Sequence, residues 1–163
     1  MLVTRENWGE AKAYLAKCEA LALDTETTGL YPYQGDRPFS IILGDDSRQF
    51  YISRKAYPEE NVEPFTPPDL SEVLTRSRLW YLHNAKFDLH HLAQAGFRVE
   101  GTIHCAEALG RVERNNRLSY SLDNLGRELG FEKDGAVAEY IRNDEARRGE
   151  LVRAEIRRWT EEG

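Results

Sequence analysis

Cysteine is scarce in this 163-residue chain. The two that occur, Cys18 and Cys105, are too few and too far apart for a disulfide framework or a zinc knuckle, and they read as reduced thiols in or near a core. Long apolar runs are missing too: no stretch approaches the roughly 20 residues of a membrane span, and the opening MLVTRENWGEAKAYL lacks the basic-then-apolar pattern of a secretory leader. The expectation is a cytoplasmic protein with no membrane partner. Positive charge is in deficit as well. A formal net charge of −6 excludes a broad basic surface, so a polyanion partner would require a local patch or bound cations. No internal repeat or low-complexity tract interrupts the sequence. With 40% hydrophobic and 31% charged residues, the chain can bury one core under a charged surface, and a single domain is expected.

The segment NWGEAKAYLAKC places Trp8, Ala11, Tyr14, Leu15 and Cys18 at helical spacing, so residues 7–18 are predicted as an amphipathic helix. Four short apolar or alternating runs follow, ALALDTE, FSIILGDD, RQFYIS and RLWYLHN, divided by Gly, Pro, Asp and Ser clusters, and these predict four strands. RKAYPEENVEPFTPPD holds four of the six prolines and predicts an irregular surface loop before a short helix, LSEVLTRS. Beyond residue 84 the spacing is helical throughout. AKFDLHHLAQAG, IHCAEALGRVER, SYSLDNLGRELG and the last 28 residues all fit, with Gly96 and Gly130 at expected helix ends. Strands first and helices after indicate an α/β domain whose sheet is covered by helices.

Within ALALDTETTGL, alternation puts Asp24 and Glu26 on one strand face and Thr25 and Thr27 on the other. Two like charges that close raise each other's pKa and cost stability unless a cation lies between them. A hard divalent ion with oxygen ligands is the usual solution. The alternative is a strand end at which both acids face water. YLHNAKFDLHHL then sets Asp88 in the first turn of a helix that follows a strand, aimed at the sheet's C-terminal edge, where open α/β sheets bind ligands. Asn84 is placed to cap that helix, and Phe87 to join the core.

These residues resemble the DEDD superfamily of 3'-5' exonucleases, whose first motif reads Asp-x-Glu and whose second reads His/Gln-Asn-x-x-Phe/Tyr-Asp. Here the two are DTETTGL and HNAKFDLHHL, in that order. The resemblance implies a ribonuclease H-like fold, a mixed β-sheet flanked by helices, and hydrolysis of phosphodiesters with Asp24, Glu26 and Asp88 as three of four catalytic, metal-binding carboxylates. Two ions roughly 3.5–4 Å apart would activate water on one side and stabilise the leaving 3'-oxygen on the other. Mg²⁺ or Mn²⁺ suits oxygen ligands.

The superfamily divides by its last motif, one branch setting a His shortly before the final Asp and the other a Tyr four residues before it. Histidine occurs only at 83, 90, 91 and 104, none with a suitably placed Asp in a late helix, so the resemblance is to the Tyr branch. SYSLDNLGRELGF is similar to the Ser-Leu-x-x-Leu-x-x-x-x-Leu-Gly helix of the exonuclease domains of family A DNA polymerases, phage or bacterial. YIRND does pair Tyr140 with Asp144. Asp144 lies only 14 residues beyond Gly130, however, and DEARRGEL lacks apolar residues to bury such a helix. The expectation is therefore one 3'-5' exonuclease domain over residues 1–163 that ends before its last motif, weakly active by itself, with Tyr140 and Asp144 as the alternative catalytic pair.

The substrate implied is the single-stranded 3' end of DNA, as in proofreading, with Thr27, Leu30, Asn84 and Phe87 as substrate contacts. A covalently linked polymerase domain and the cytoplasm of a bacterial or phage-infected cell go with that reading. An exoribonuclease similar to ribonuclease D and a non-catalytic nucleic-acid-binding module of the same fold are the alternatives. The arginines of RVERNNR and of the last helix are interspersed with acids and read as solvated surface.

Overall fold

Alternation in ALALDTET builds β1 (Ala20–Thr27), which buries Leu21, Leu23 and Thr25 and exposes Ala22, Asp24 and Glu26. The computed structural model describes residues 1–54 and 64–131. Around β1 lie β2 (Pro38–Gly44), β3 (Gln49–Ser53), β4 (Arg78–Leu82) and β5 (Gly101–Cys105), in the order β3-β2-β1-β4-β5. The first three strands pair antiparallel; β1 with β4 and β4 with β5 pair parallel. With the helices α1 (Trp8–Leu15), α2 (Leu70–Leu74), α3 (Ala85–Gln94), α4 (Ala106–Glu113) and α5 (Leu122–Glu128), this is the expected mixed sheet of the ribonuclease H-like fold.

One sheet face carries the core. Leu21 and Leu23, Ile41 and Leu43, Phe50 and Ile52, and Trp80 and Leu82 pack with Trp8, Ala11 and Leu15 of α1, Leu70, Val73 and Leu74 of α2, and Leu92 of α3. Polar clamps fix these helices. The Trp8 indole donates to Asp69 at 2.6 Å, and Lys12 pairs with Asp69 and with Glu72. The buried Arg78 guanidinium donates to the carbonyls of Leu15 (2.6 Å), Cys18 (3.0 Å) and Val73 (3.5 Å), which satisfies acceptors left over where α1 and α2 end. At the β2–β3 turn the Asp45 carboxylate accepts from the amides of Ser47 (2.9 Å) and Arg48 (2.8 Å) and from the Tyr14 hydroxyl, and these bonds hold its pKa down at about 2.

Two differences from the sequence expectation stand out. The described residues form five strands, because GTIHC, whose last three residues are read above as the start of a helix, is β5. Its pairing from Arg78↔Gly101 to Leu82↔Cys105 is a long-range interaction that local periodicity does not register, and α4 begins only at Ala106. Gly101 permits that pairing: its φ is +125°, and a Cβ there would fall on the Arg78 carbonyl. β4 also ends at Leu82, two residues short of the predicted end. Gly96 and Gly130 do close helices, at φ +84° and +83°.

The chain divides into two compact units, Met1–Leu122 and Asp123–Gly163. In the second, Asp123 and Arg127 pair along α5, and the Phe131 amide returns to the Gly126 carbonyl at 2.9 Å. The predicted helix over residues 136–163 lies outside the described residues, as does most of the proline-rich loop. Among the described residues no helix is long and apolar enough to cross a membrane.

Candidate active site

Two segments meet where β1 forks away from its parallel neighbour. β1 pairs with β2 from Ala22 to Thr27 but with β4 only from Ala20 to Ala22. Past that point the amide of Thr25 faces α3 instead of a strand, and Asp88 in the helix's first turn fills the gap. Its Oδ1 accepts from the Thr25 amide at 3.1 Å and from the Thr25 hydroxyl at 2.6 Å. Asp88 is thereby fastened to the residue between Asp24 and Glu26, which project together from the exposed face of the strand.

The electrostatics follow from that placement. Asp88 is 2% exposed, and burial pushes its carboxyl up to about 6, with the Asp24 charge adding to the rise and the two bonds from Thr25 opposing it. A carboxyl kept partly protonated beside another carboxylate is a group that a cation would discharge of its proton. The donors on hand are all oxygen, which suits Mg²⁺, Mn²⁺ or another hard divalent ion through the Asp24 and Glu26 pair. Among the described residues, no three Asp, Glu, His or Cys side chains gather as a ready cluster. Asp88 Oδ1 is turned to Thr25.

The remaining predicted residues lie close in sequence to these. The Thr27 hydroxyl donates to the Gly29 carbonyl at 2.8 Å, which starts the turn out of β1. Gly29 is packed so closely on the Asp36 carboxylate that a Cβ would displace it, and that carboxylate accepts the Tyr31 amide at 2.8 Å. Leu30 at the tip is 68% exposed, so it does not belong to the core. Asn84 occupies the N-cap position of α3 without a side-chain cap bond; its contribution is conformational. At φ +51° and ψ +49° it is the one non-glycine residue with positive φ among the described residues, a conformation asparagine tolerates better than most. The first α3 amide, that of Ala85, is met by Cys105 Sγ at 3.5 Å. Phe87 is half-buried and, with Leu30 and Asn84, lines a pocket of about 360 Å³ between residues 30–34 and α3. Tyr140 and Asp144 lie outside the described residues.

Thr25 and His91 escaped the sequence reading. Thr25 was assigned to the far face with no task, although a hydroxyl on the buried face of a strand needs a partner. His91 is fully buried on α3, with Nδ1 3.0 Å from the Phe87 carbonyl oxygen and Nε2 3.2 Å from that of Gly29. A histidine three residues beyond Asp88 on the helix's inner face was the available signal.

The family described as 3'-5' exonuclease matches residues 2–136. The chain belongs to that family. The chain is 31% identical over 111 residues to DNA polymerase DpoZ of Salmonella phage PMBT28; the match covers 66% of the chain and 17% of the phage polymerase. Brucella melitensis NrnC, in a structure with bound Mg²⁺, aligns with a TM-score of 0.60 at 24% identity, over 72% of this chain and 57% of that one. Escherichia coli RNase D, an exoribonuclease involved in structured RNA processing, aligns with a TM-score of 0.63 at 16% identity, over 82% and 34% of the two chains. The likenesses to NrnC and RNase D speak to the shared fold. The chain spans about a sixth of the phage polymerase and little more than half of the NrnC chain.

Proposed function

We propose that this chain removes nucleotides from the 3' end of single-stranded DNA, as a proofreading module does, with Asp24, Glu26 and Asp88 holding divalent ions. The observation that carries the reading is the bond from Asp88 to Thr25, which joins the second motif to the middle of the first. Mg²⁺ or Mn²⁺ bound there would supply an activated water and neutralise charge on the leaving oxygen. The protein's own contributions are electrostatic and positional. Asp24 and Glu26 concentrate negative charge on one strand face, which repels a phosphodiester until cations are bound. Asp88 adds a third carboxyl whose proton is lost near pH 6. Thr27 braces the turn, and Leu30, Asn84 and Phe87 offer contacts to the terminal nucleotide.

The relation to a phage DNA polymerase supports DNA over RNA and supports a role within or beside a polymerase in the cytoplasm of an infected or bacterial cell. RNA remains the second reading, since RNase D shares the fold. The test is release of nucleotides from 5'-labelled single-stranded DNA and RNA in Mg²⁺, in Mn²⁺ and in EDTA. Metal-dependent shortening from the 3' end, faster on DNA and abolished by Asp24→Ala, is expected. Faster cleavage of RNA would transfer the assignment to that substrate, and silence on both would leave a binding module. The same assay on Asp144→Ala decides the fourth carboxylate: loss of cleavage assigns Asp144, and retention removes it.

A further inference from the structure

We infer that His91 is a positioning residue, whose Nε2–H donates to the Gly29 carbonyl and so holds the turn after Glu26 against the helix that carries Asp88. The inference deepens the proposed function and rests on it. His91 is fully buried, with its ring packed on that of Phe87 at 4.3 Å between centroids. Each ring nitrogen meets a carbonyl oxygen, Nδ1 that of Phe87 at 3.0 Å and Nε2 that of Gly29 at 3.2 Å. A neutral imidazole has a single N–H to offer these two acceptors. The approach to Phe87, four residues back, is imposed by the helix itself, which stacks such residues one above the other. The approach to Gly29, 62 residues away in sequence, has no such cause. Without a proton on Nε2, a ring lone pair would face a carbonyl oxygen in a buried site, and the two would repel each other with no water to intervene.

The turn is otherwise bonded to itself. The Thr27 hydroxyl donates to the same Gly29 carbonyl, the Thr28 amide to the Arg37 carbonyl at 3.1 Å, and the Tyr31 amide to the Asp36 carboxylate, all within residues 27–37. Among the described residues, the His91 contact is the only hydrogen bond between that segment and α3. Asp88 is fastened separately, to Thr25 in the middle of β1. The two fastenings therefore have different tasks. Thr25 fixes Asp88 relative to Asp24 and Glu26, whereas His91 fixes Thr27 and Leu30, the residues offered to the terminal nucleotide, relative to α3. A turn released from α3 must be ordered each time a strand binds, and that cost falls on affinity while the carboxylates keep their places.

The experiment is single-turnover cleavage of 5'-labelled single-stranded DNA in Mg²⁺ at rising concentrations of the full chain, which separates the half-saturating concentration from the maximal rate. Glutamine carries its amide nitrogen near the position of Nε2, and asparagine only near that of Nδ1. His91→Gln should therefore match the parent chain. His91→Asn and His91→Leu should raise the half-saturating concentration roughly 3- to 10-fold, the worth of one hydrogen bond, with the maximal rate unchanged within about twofold. A ¹⁵N spectrum of the parent chain's histidine rings at about pH 8, where an ordinary imidazole is neutral, should show the His91 proton on Nε2; it requires neither a variant nor a substrate. An unprotonated Nε2, parental half-saturation in the Asn and Leu variants, a Gln variant as weak as the Asn variant, or a loss confined to the maximal rate would each overturn the positioning role and leave the exonuclease reading standing. A parent chain that does not cleave would overturn the exonuclease reading and this inference with it.

Discussion

Replacing Asp88 by asparagine should make the protein more stable at alkaline pH and less useful. Asp88 is buried, and its carboxyl is pushed from the ordinary 3.8 up to about 6, by burial first and by the Asp24 charge as well. At about 1.4 kcal/mol per pH unit, keeping it ionised at pH 8 costs the folded state roughly 3 kcal/mol, an upper figure because local relaxation reduces it. The folded chain holds this proton more tightly than the unfolded chain does. The resulting stabilisation is therefore complete below pH 3.8 and is lost as the pH rises through about 6. Asp88→Asn keeps a carbonyl oxygen for the Thr25 amide and hydroxyl but cannot ionise. In EDTA at pH 8 it should be more stable than the parent chain by about 1–3 kcal/mol, a rise in melting temperature of several degrees for a chain of this size. At pH 4 the two should nearly coincide, and added Mg²⁺ or Mn²⁺ should narrow the gap at pH 8 by stabilising only the parent. Urea denaturation followed by circular dichroism measures each case, and nucleotide release should fall to background in the variant. A variant less stable than the parent at pH 8, or an equal difference at pH 4 and pH 8, would refute the reasoning.

Four further outcomes follow from the scaffold. Arg78→Met leaves the Leu15, Cys18 and Val73 carbonyls without their buried donor and should cost about 2–4 kcal/mol, read as a lower urea midpoint at unchanged slope. Gly101→Ala forces a side chain into positive φ against Arg78 and should cost more than about 2 kcal/mol, whereas Gly9→Ala, with open space around it inside α1, should stabilise by roughly 0.5–1 kcal/mol. Asp45→Asn should flatten the acid limb of the stability profile, because the parent chain's Asp45 contribution is present above pH 3.8 and is lost as the pH falls through about 2; denaturation at pH 2, 3 and 5 checks it.

Elements whose cause is local were legible in the sequence. The period-2 pattern of ALALDTET gave β1 with its correct faces, and helix-ending glycines at 96 and 130 marked real termini, because side-chain alternation and positive φ are properties of a few adjacent residues. β5 was illegible for the complementary reason: Thr102 and Ile103 favour extended backbone, but a five-residue run that opens on glycine and leads straight into helical spacing is a strand by virtue of its pairing with β4. At the candidate site, Asp24, Glu26 and Asp88 could be singled out by type and motif, but their relation could not. Alternation assigned Thr25 to the opposite face from the acids, which is correct, and Asp88 arrives on that buried side. The bond between them depends on where β4 stops pairing with β1, a matter of tertiary register. Asn84 illustrates a middle case, since an asparagine before a helix signals a cap by composition, whereas here it serves by adopting a left-handed turn.

The fork between β1 and β4 also has a spectroscopic consequence. Most amides inside a sheet hydrogen-bond to a neighbouring strand's carbonyl and report on that pairing. The Thr25 amide is hydrogen-bonded to a carboxyl group carried by a helix, so its proton resonance should move with the charge on Asp88 as the pH passes about 6. Binding of a cation by Asp24 and Glu26 should shift the same signal. A single backbone proton in the middle of the first motif thus serves as an indicator, readable in solution without substrate, of the state of a side chain more than sixty residues away in sequence.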